Sequence, residues 1–279
     1  MSTLYICATP IGNLSDISTR LKETLQHVDC IYGEDTRRVV KLLNHLNIKK
    51  PVYSYFVGNE RNKIEEIQNL LTEGKNIALL SDAGTPLIAD PGSELVSTLV
   101  SNNINMESIP GPSSVIVALT LSGFDLSSFR FVGFIPKSGK ERSDFMSELI
   151  KSNMTTVCFT SPKRLIKDLE SFMKDKITSQ IVVCRELTKK FESIYRGTAE
   201  ELLAQFQDSN VKGEITLVID SQEKESRLDL DVESVVHNLL KFEIPKREIA
   251  KTISSLTDVS TNEIMSKLKT FNIGNTTNT

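Results

Sequence analysis

The chain has 279 residues, with 33 Lys+Arg against 36 Asp+Glu for a formal net charge of −3, and 39% hydrophobic residues. At about 150 residues per domain that length suits two domains, and the apolar share supports packed cores rather than disorder. No run approaches the ~18 apolar residues of a spanning helix, and a net negative chain is not one that coats nucleic acid indiscriminately. The opening MSTLYICATP has no basic stretch followed by a long apolar one, so a cytoplasmic protein with no membrane contact is expected. Cys7, Cys30, Cys158 and Cys184 form no CxxC pair. His27, His45 and His237 are scattered, and no metal site is expected.

In chain order, apolar runs at 4–9, 30–33, 51–56, 77–81 and 106–110 read as strands. Helical spacing fills 17–28, 35–46, 60–73 and 92–102, and a Pro-started helix follows over 112–122, stopped by Gly123. Such alternation predicts a mostly parallel α/β sheet over residues 1–121. A second α/β domain over 122–220 has strands at 130–136, 155–161, 180–187, 191–197 and 213–220, with helices near 140–151, 163–173 and 198–207. Only Thr188-Lys189-Lys190 separates two of these strands, so a hairpin, and hence a mixed sheet, is expected. The polar segment 221–231 reads as a linker, followed over 221–279 by a small helical extension with short helices at 232–241, 246–255 and 261–270.

Three Pro- and Gly-bearing loops leave strand ends in the first half: ATPIGN (8–13), SDAGTPLIADPG (81–92) and IPGPSS (109–114). In an open α/β sheet ligands bind beyond the carboxyl ends of the strands, so these loops predict a shared site there. Small residues let a ligand approach backbone groups closely, and a helix starting near residue 112 offers its N-terminal N–H groups to an anion. Neither GxGxxG nor GxxxxGK[ST] is present, so the loop design is neither a dinucleotide fingerprint nor a P-loop.

ATPIGNLSDIS, GEDTRR (33–38), LLNHLNI (42–48), SDAGTPLIADPG and IPGPSS together resemble the tetrapyrrole methylase superfamily. Within it they are similar to the branch that 2′-O-methylates a decoding-site cytidine of 16S ribosomal RNA. FVGFIPK (131–137), TSPKRL (160–165), RELTKKFE (185–192), YRGT (195–198) and KGEITLVI (212–219) extend the resemblance to about residue 220. It implies a methyltransferase of two α/β domains with S-adenosylmethionine in the cleft between them, a homodimer, and 16S rRNA within the 30S subunit as partner. Matched onto this chain, the cofactor-binding positions are Pro10, Asp82, Ala83, Gly84, Thr85, Ile88, Ser113, Ser114 and Ser161. For Ile88 a place in the core is the competing expectation.

A ribose hydroxyl is a poor acid, so methyl transfer to it calls for a base or a stabiliser of developing charge. Glu34 and Asp35, leaving the second strand, rank first, with Glu186 from the RELTKK segment as a further catalytic candidate; N-capping is the plain alternative for Glu34 and Asp35. Substrate contacts are expected from Arg37, Asn59, Glu60, Lys137, Lys163, Arg164 and Arg185. Residues 130–175 hold 9 basic against 6 acidic residues, a local patch suited to phosphates. The family commonly carries histidines in the segments that here read Phe56-Val57-Gly58-Asn59-Glu60 and Thr160-Ser161-Pro162-Lys163-Arg164, so no histidine base is assigned. Methylation of a tetrapyrrole, and a non-catalytic ribosome-assembly factor of the same fold, are the alternatives at this point.

Overall fold

The computed structural model describes residues 2–207, 211–220, 235–236, 239, 244–256 and 259–270. Its contacts divide the chain into two units, Met1–Gln222 and Glu223–Thr279.

The larger unit holds two five-stranded sheets. The first contains β1 (Leu4–Cys7), β2 (Cys30–Gly33), β3 (Val52–Ser54), β4 (Ile77–Leu80) and β5 (Met106–Ile109). All pair in parallel, in the order β3-β2-β4-β1-β5. β2 and β4 are buried on both faces, as parallel strands covered by helices must be. One face packs Leu21 and Leu25 of α1 (Thr19–His27) and Val39, Leu42 and Leu43 of α2 (Thr36–His45). The other packs Ile64, Ile67 and Leu71 of α3 (Glu60–Thr72) and Leu95 and Leu99 of α4 (Ser93–Ser101).

The second sheet runs β6-β7-β10-β8-β9, from β6 (Phe129–Phe134), β7 (Thr155–Thr160), β8 (Ile181–Arg185), β9 (Ser193–Gly197) and β10 (Ile215–Ile219). β6 and β7 are parallel, whereas β10 is antiparallel to β7 and β8, and β9 to β8, so the sheet is mixed as expected. The hairpin loop is longer than its three polar residues suggested. Pairing stops at Arg185↔Ser193, because Glu186 and Thr188 adopt left-handed backbone at φ 52° and 65° while Leu187 turns inward and is buried.

α6 (Gly139–Lys151), α7 (Pro162–Lys174) and α8 (Ala199–Phe206) cover one face of this sheet. The other face takes α5 (Ser114–Ser122), the helix that follows the first sheet: Val115, Ala118 and Leu119 pack with Val157, Val182, Cys184 and Val218. α5 is mostly apolar, and it buries one side on the sheet while Ile116 and Thr120 stay exposed on the other. It ties the two sheets together and brings its own N-terminus to the space between them.

The smaller unit contains α9 (Lys246–Leu256) and α10 (Thr261–Thr270), which bury Ile249, Ala250 and Ile253 against Ile264 and Leu268. The expected linker at 221–231 and most of the helix expected at 232–241 lie outside the described residues. Among the described residues no helix is long and apolar enough to cross a membrane.

Candidate active site

β4, β1 and β5 are neighbours in the first sheet, so the loops leaving their carboxyl ends lie side by side. Thr9 N–H donates to Gly84 O at 2.8 Å and Gly84 N–H returns a bond to Thr9 O at 3.1 Å. Ser81 Oγ also donates to Gly84 O, at 3.0 Å. Gly84 has φ +82°, and a Cβ there would stand 3.4 Å from Ile11 Cγ2, which is why glycine occupies the clip. The loop from β1 also meets the β8–β9 hairpin: a Cβ on Gly12 would collide with Lys189 Cγ.

A cleft of about 370 Å³ opens between these loops and the second sheet. Asp82, Ala83, Gly84, Thr85, Ile88, Ser113, Ser114 and Ser161 all line it. Pro10 does not; it lines an adjoining cavity of about 290 Å³ that shares Arg38 and Asp82 with the cleft. Ile88 is 46% exposed, which decides against a place in the core. The apolar wall comes from both halves, with Ile11 and Val115 facing Phe134, Phe159, Leu187 and Ile215. Phe134 and Phe159 stack edge to face with centroids 5.4 Å apart. Cys184 also lines the cleft, but burial pushes its thiol up to about 11; it acts as a small apolar residue.

Three carboxylates line the cleft, Asp82, Asp90 and Glu214. Asp82 Oδ1 accepts the Asp35 N–H at 2.9 Å, and Oδ2 lies 3.4 Å from Arg38 Nε. Glu214 pairs with Lys189 Nζ at 3.0 Å. Asp90 has no cation in ion-pair range among the described residues. Burial first, then the charges of Glu34 and Asp82, raise its carboxyl to about 6, against a lowering by Ser81. Leu87 and Ala89 beside it hold left-handed backbone at φ 71° and 65°, a strain that clusters at functional loops. Asp90 stood inside the SDAGTPLIADPG motif without being singled out from the rest of the loop. What distinguishes it is partly non-local: Asp82 stands earlier in the same loop, but Glu34 comes from the end of β2.

The catalytic candidates from the sequence are placed differently. Asp35 caps α2 through the Arg37 N–H at 2.9 Å and holds the Arg37 guanidinium with Nε at 2.9 Å and Nη2 at 2.7 Å. Those bonds pull its carboxyl down to about 2, too acidic for a base. Glu186 Oε1 accepts from Lys189 Nζ at 2.7 Å and Glu214 N–H at 2.8 Å. Burial acts upward on it, and those bonds with the nearby cations hold it below the usual range. Glu34 sits outside the cleft lining, against Tyr55, Ser81 and Asp90. Burial and then the Asp82 charge raise its carboxyl.

Several expected substrate contacts have other partners. Arg164 donates to Ile135 O at 2.7 Å, Pro136 O at 2.9 Å and Asp168 Oδ1 at 3.2 Å. Arg185 donates to Lys212 O at 2.6 Å and Ser193 Oγ at 3.3 Å. Asn59 braces the entry to α3 by accepting from Phe56 N–H at 2.9 Å and donating to Ser54 O at 3.2 Å. Glu60 Oε1 accepts from Gly92 N–H at 3.2 Å, steadying the end of the loop that carries Asp90. Lys137 and Lys163 are exposed, and Arg37 is 89% exposed along its side chain. Arg38, one residue on, lines both cavities. The doubled arginine of GEDTRR was its only mark in the sequence.

The family model of the tetrapyrrole (corrin/porphyrin) methylases matches residues 3–203. The chain belongs to this family. Among its tetrapyrrole methylase relatives, a Thermotoga maritima protein named ribosomal RNA small subunit methyltransferase I is 42% identical over 223 residues, which are 80% of this chain and all of that protein. Proteins of the same name from Escherichia coli O157:H7 and Vibrio cholerae serotype O1 are 37% and 36% identical, each over 94% of this chain and 92% of their own length. Two solved methylase-fold structures align as well. Diphthine synthase has TM-score 0.63 at 15% identity, covering 79% of this chain and 90% of its own. A cobalt precorrin-4 methyltransferase has TM-score 0.61 at 18% identity, covering 78% and 94%. At such identities the structures show the fold alone.

Proposed function

We propose that this methyltransferase transfers a methyl group from S-adenosylmethionine to the ribose 2′-hydroxyl of a decoding-site cytidine in 16S rRNA of the 30S subunit. The observation that carries the reading is the cleft between the two sheets, lined by eight of the nine motif positions expected to hold the cofactor. The relatives that share this sequence over most of their length are named for small-subunit rRNA methylation, which supports RNA as the substrate. A homodimer working in the cytoplasm completes the proposal.

The residues present fit the cofactor. A cleft of about 370 Å³ lies in the range of small-molecule sites, about 300–1,000 Å³. The first turn of α5 at the cleft has no side-chain cap on its N–H groups, a setting for the carboxylate of the amino-acid end. Asp82 is the charge complement for the ammonium, and the Phe134–Phe159 wall gives apolar surface for the adenine. When bound, S-adenosylmethionine supplies a sulfonium-activated methyl group. The chain's own part is to bind and orient both reactants, to keep water out with its apolar wall, and to take up a proton. Exposed Arg37, Lys137 and Lys163, with Arg38 at the cleft, are the phosphate partners in this reading.

The test is in vitro methylation of 30S particles and of free 16S rRNA, lacking the modification, with methyl-labelled cofactor, followed by nuclease digestion and mass spectrometry. One ribose gaining one methyl group on a decoding-site cytidine is the expected result. Base methylation, or no methylation of either RNA form, overturns the proposal.

A further inference from the structure

We propose that the cavity beside the cofactor cleft takes the target nucleotide, and that Phe191 at the tip of the β8–β9 hairpin stacks on an unpaired base next to it. The inference rests on the reading above and deepens it by naming where the RNA lies.

The cavity of about 290 Å³ meets the cofactor cleft at Arg38 and Asp82, so a nucleotide seated in it lies next to the methyl donor's site. Pro10, the one expected cofactor position absent from the cleft, lines this cavity; the ATPIGN loop thus serves the acceptor's side. Val39, Leu42 and Leu80 give the cavity apolar lining, and its cations are Arg38 and Lys41 of α2. Three residues apart, those cations share one helix face, and α2 carries no acidic residue. Lys41 is exposed, and among the described residues no carboxylate pairs with it. Cations beside an apolar pocket match a phosphate joined to a sugar and a base.

The hairpin stands at the rim of the same cavity. Gly12, in the cavity wall, packs so closely on the hairpin that a Cβ there would collide with Lys189 Cγ. Two residues on, Phe191 is 68% exposed and joins none of the apolar cores among the described residues. Lys190 Nζ lies over its ring, 5.6 Å from the centroid. So exposed a ring contributes little burial to the fold, whereas a base laid on it gains stacking. Unpaired RNA bases are read in this way, splayed onto aromatic side chains with cations alongside for the phosphates. A protein partner would also cover an apolar ring, but the cations at this rim, Arg38, Lys41 and Lys190, favour a polyanion.

The experiment compares wild type, F191A, F191W and K41A in binding to unmodified 30S particles, with calorimetric binding of S-adenosylmethionine, Tm and gel-filtration mass measured beside it. Expected for F191A is a 30S affinity lower by roughly 5–150-fold, at unchanged cofactor affinity, Tm and mass, and F191W should restore it. K41A should lower the salt slope of 30S binding by about 1. A photoreactive Phe191→benzoylphenylalanine variant should crosslink to RNA beside the methylated cytidine. F191A binding within about twofold of wild type, a K41A slope equal to wild type, an altered mass for F191A, or crosslinks to a second copy of the chain instead of RNA overturns the inference while leaving the proposed function standing. A wild type inactive on both 30S particles and free 16S rRNA overturns both.

Discussion

Asp90 and Asp168 are carboxylates in opposite surroundings. Asp168 lies fully buried on α7, accepting from Arg142 at 2.8 Å, Arg164 at 3.2 Å and the Thr160 hydroxyl at 2.5 Å. Asp90 lines the cleft with the charges of Glu34 and Asp82 acting on it and, among the described residues, no cation in ion-pair range. A buried charge is tolerated when it is paired and hydrogen-bonded, so Asp168 belongs to the architecture that closes the second sheet. An unpaired carboxylate held among like charges by a strained loop is costly to the fold, and such groups are kept where reactivity is needed. The same contrast divides the cations. The 9 basic residues of 130–175 include Arg130, Arg142 and Arg164, which bond within the fold, while Lys137 and Lys163 stay exposed.

The largest effect should come from Asp168. D168A leaves two inward-held guanidiniums without their carboxylate and should cost about 3–5 kcal/mol, read as a lower urea midpoint. D90N should do the reverse. Its folded carboxyl is raised to about 6 from an ordinary ~3.9, so in wild type the folded state binds more protons between those values and loses stability as pH rises across them. Replacing the carboxylate should therefore raise Tm above pH 6 and leave it unchanged below about pH 4. A fall in Tm at pH 7.5 would mean that Asp90 is a structural carboxylate like Asp168.

A smaller contrast separates neighbours on α7. K163A should weaken RNA binding and lower the salt slope by about 1 without moving Tm, whereas R164A should lower Tm through its lost bonds to Ile135 O, Pro136 O and Asp168. Equal salt slopes for both variants would erase the distinction. The smallest effect is expected at Asp35. D35N keeps a capping oxygen and should leave single-turnover rates within about threefold of wild type. A hundredfold loss would place the base at the second strand end.

The parallel sheet, the mixed sheet and the gathering of three loops were legible in the sequence because each depends on local pattern: apolar period, Pro and Gly positions, and strand-end placement. The hairpin loop was underestimated because Glu186 and Thr188 leave the strand with positive φ, which neither residue type announces. Arg164 in TSPKRL was expected to contact substrate, yet Asp168 four residues on marked a pair on one helix face and was the available clue. Asp90 had no such clue. Its character is set by burial and then by Glu34 and Asp82; Asp82 shares its loop, but Glu34 leaves β2, which neighbours β4 only in the folded sheet.

The most direct test is a carbon-13 NMR titration of the Asp90 carboxyl in the folded full-length protein, assigned by comparison with D90N. The account predicts an inflection near pH 6 that moves lower in E34Q. An inflection near pH 4, unmoved by E34Q, would contradict it.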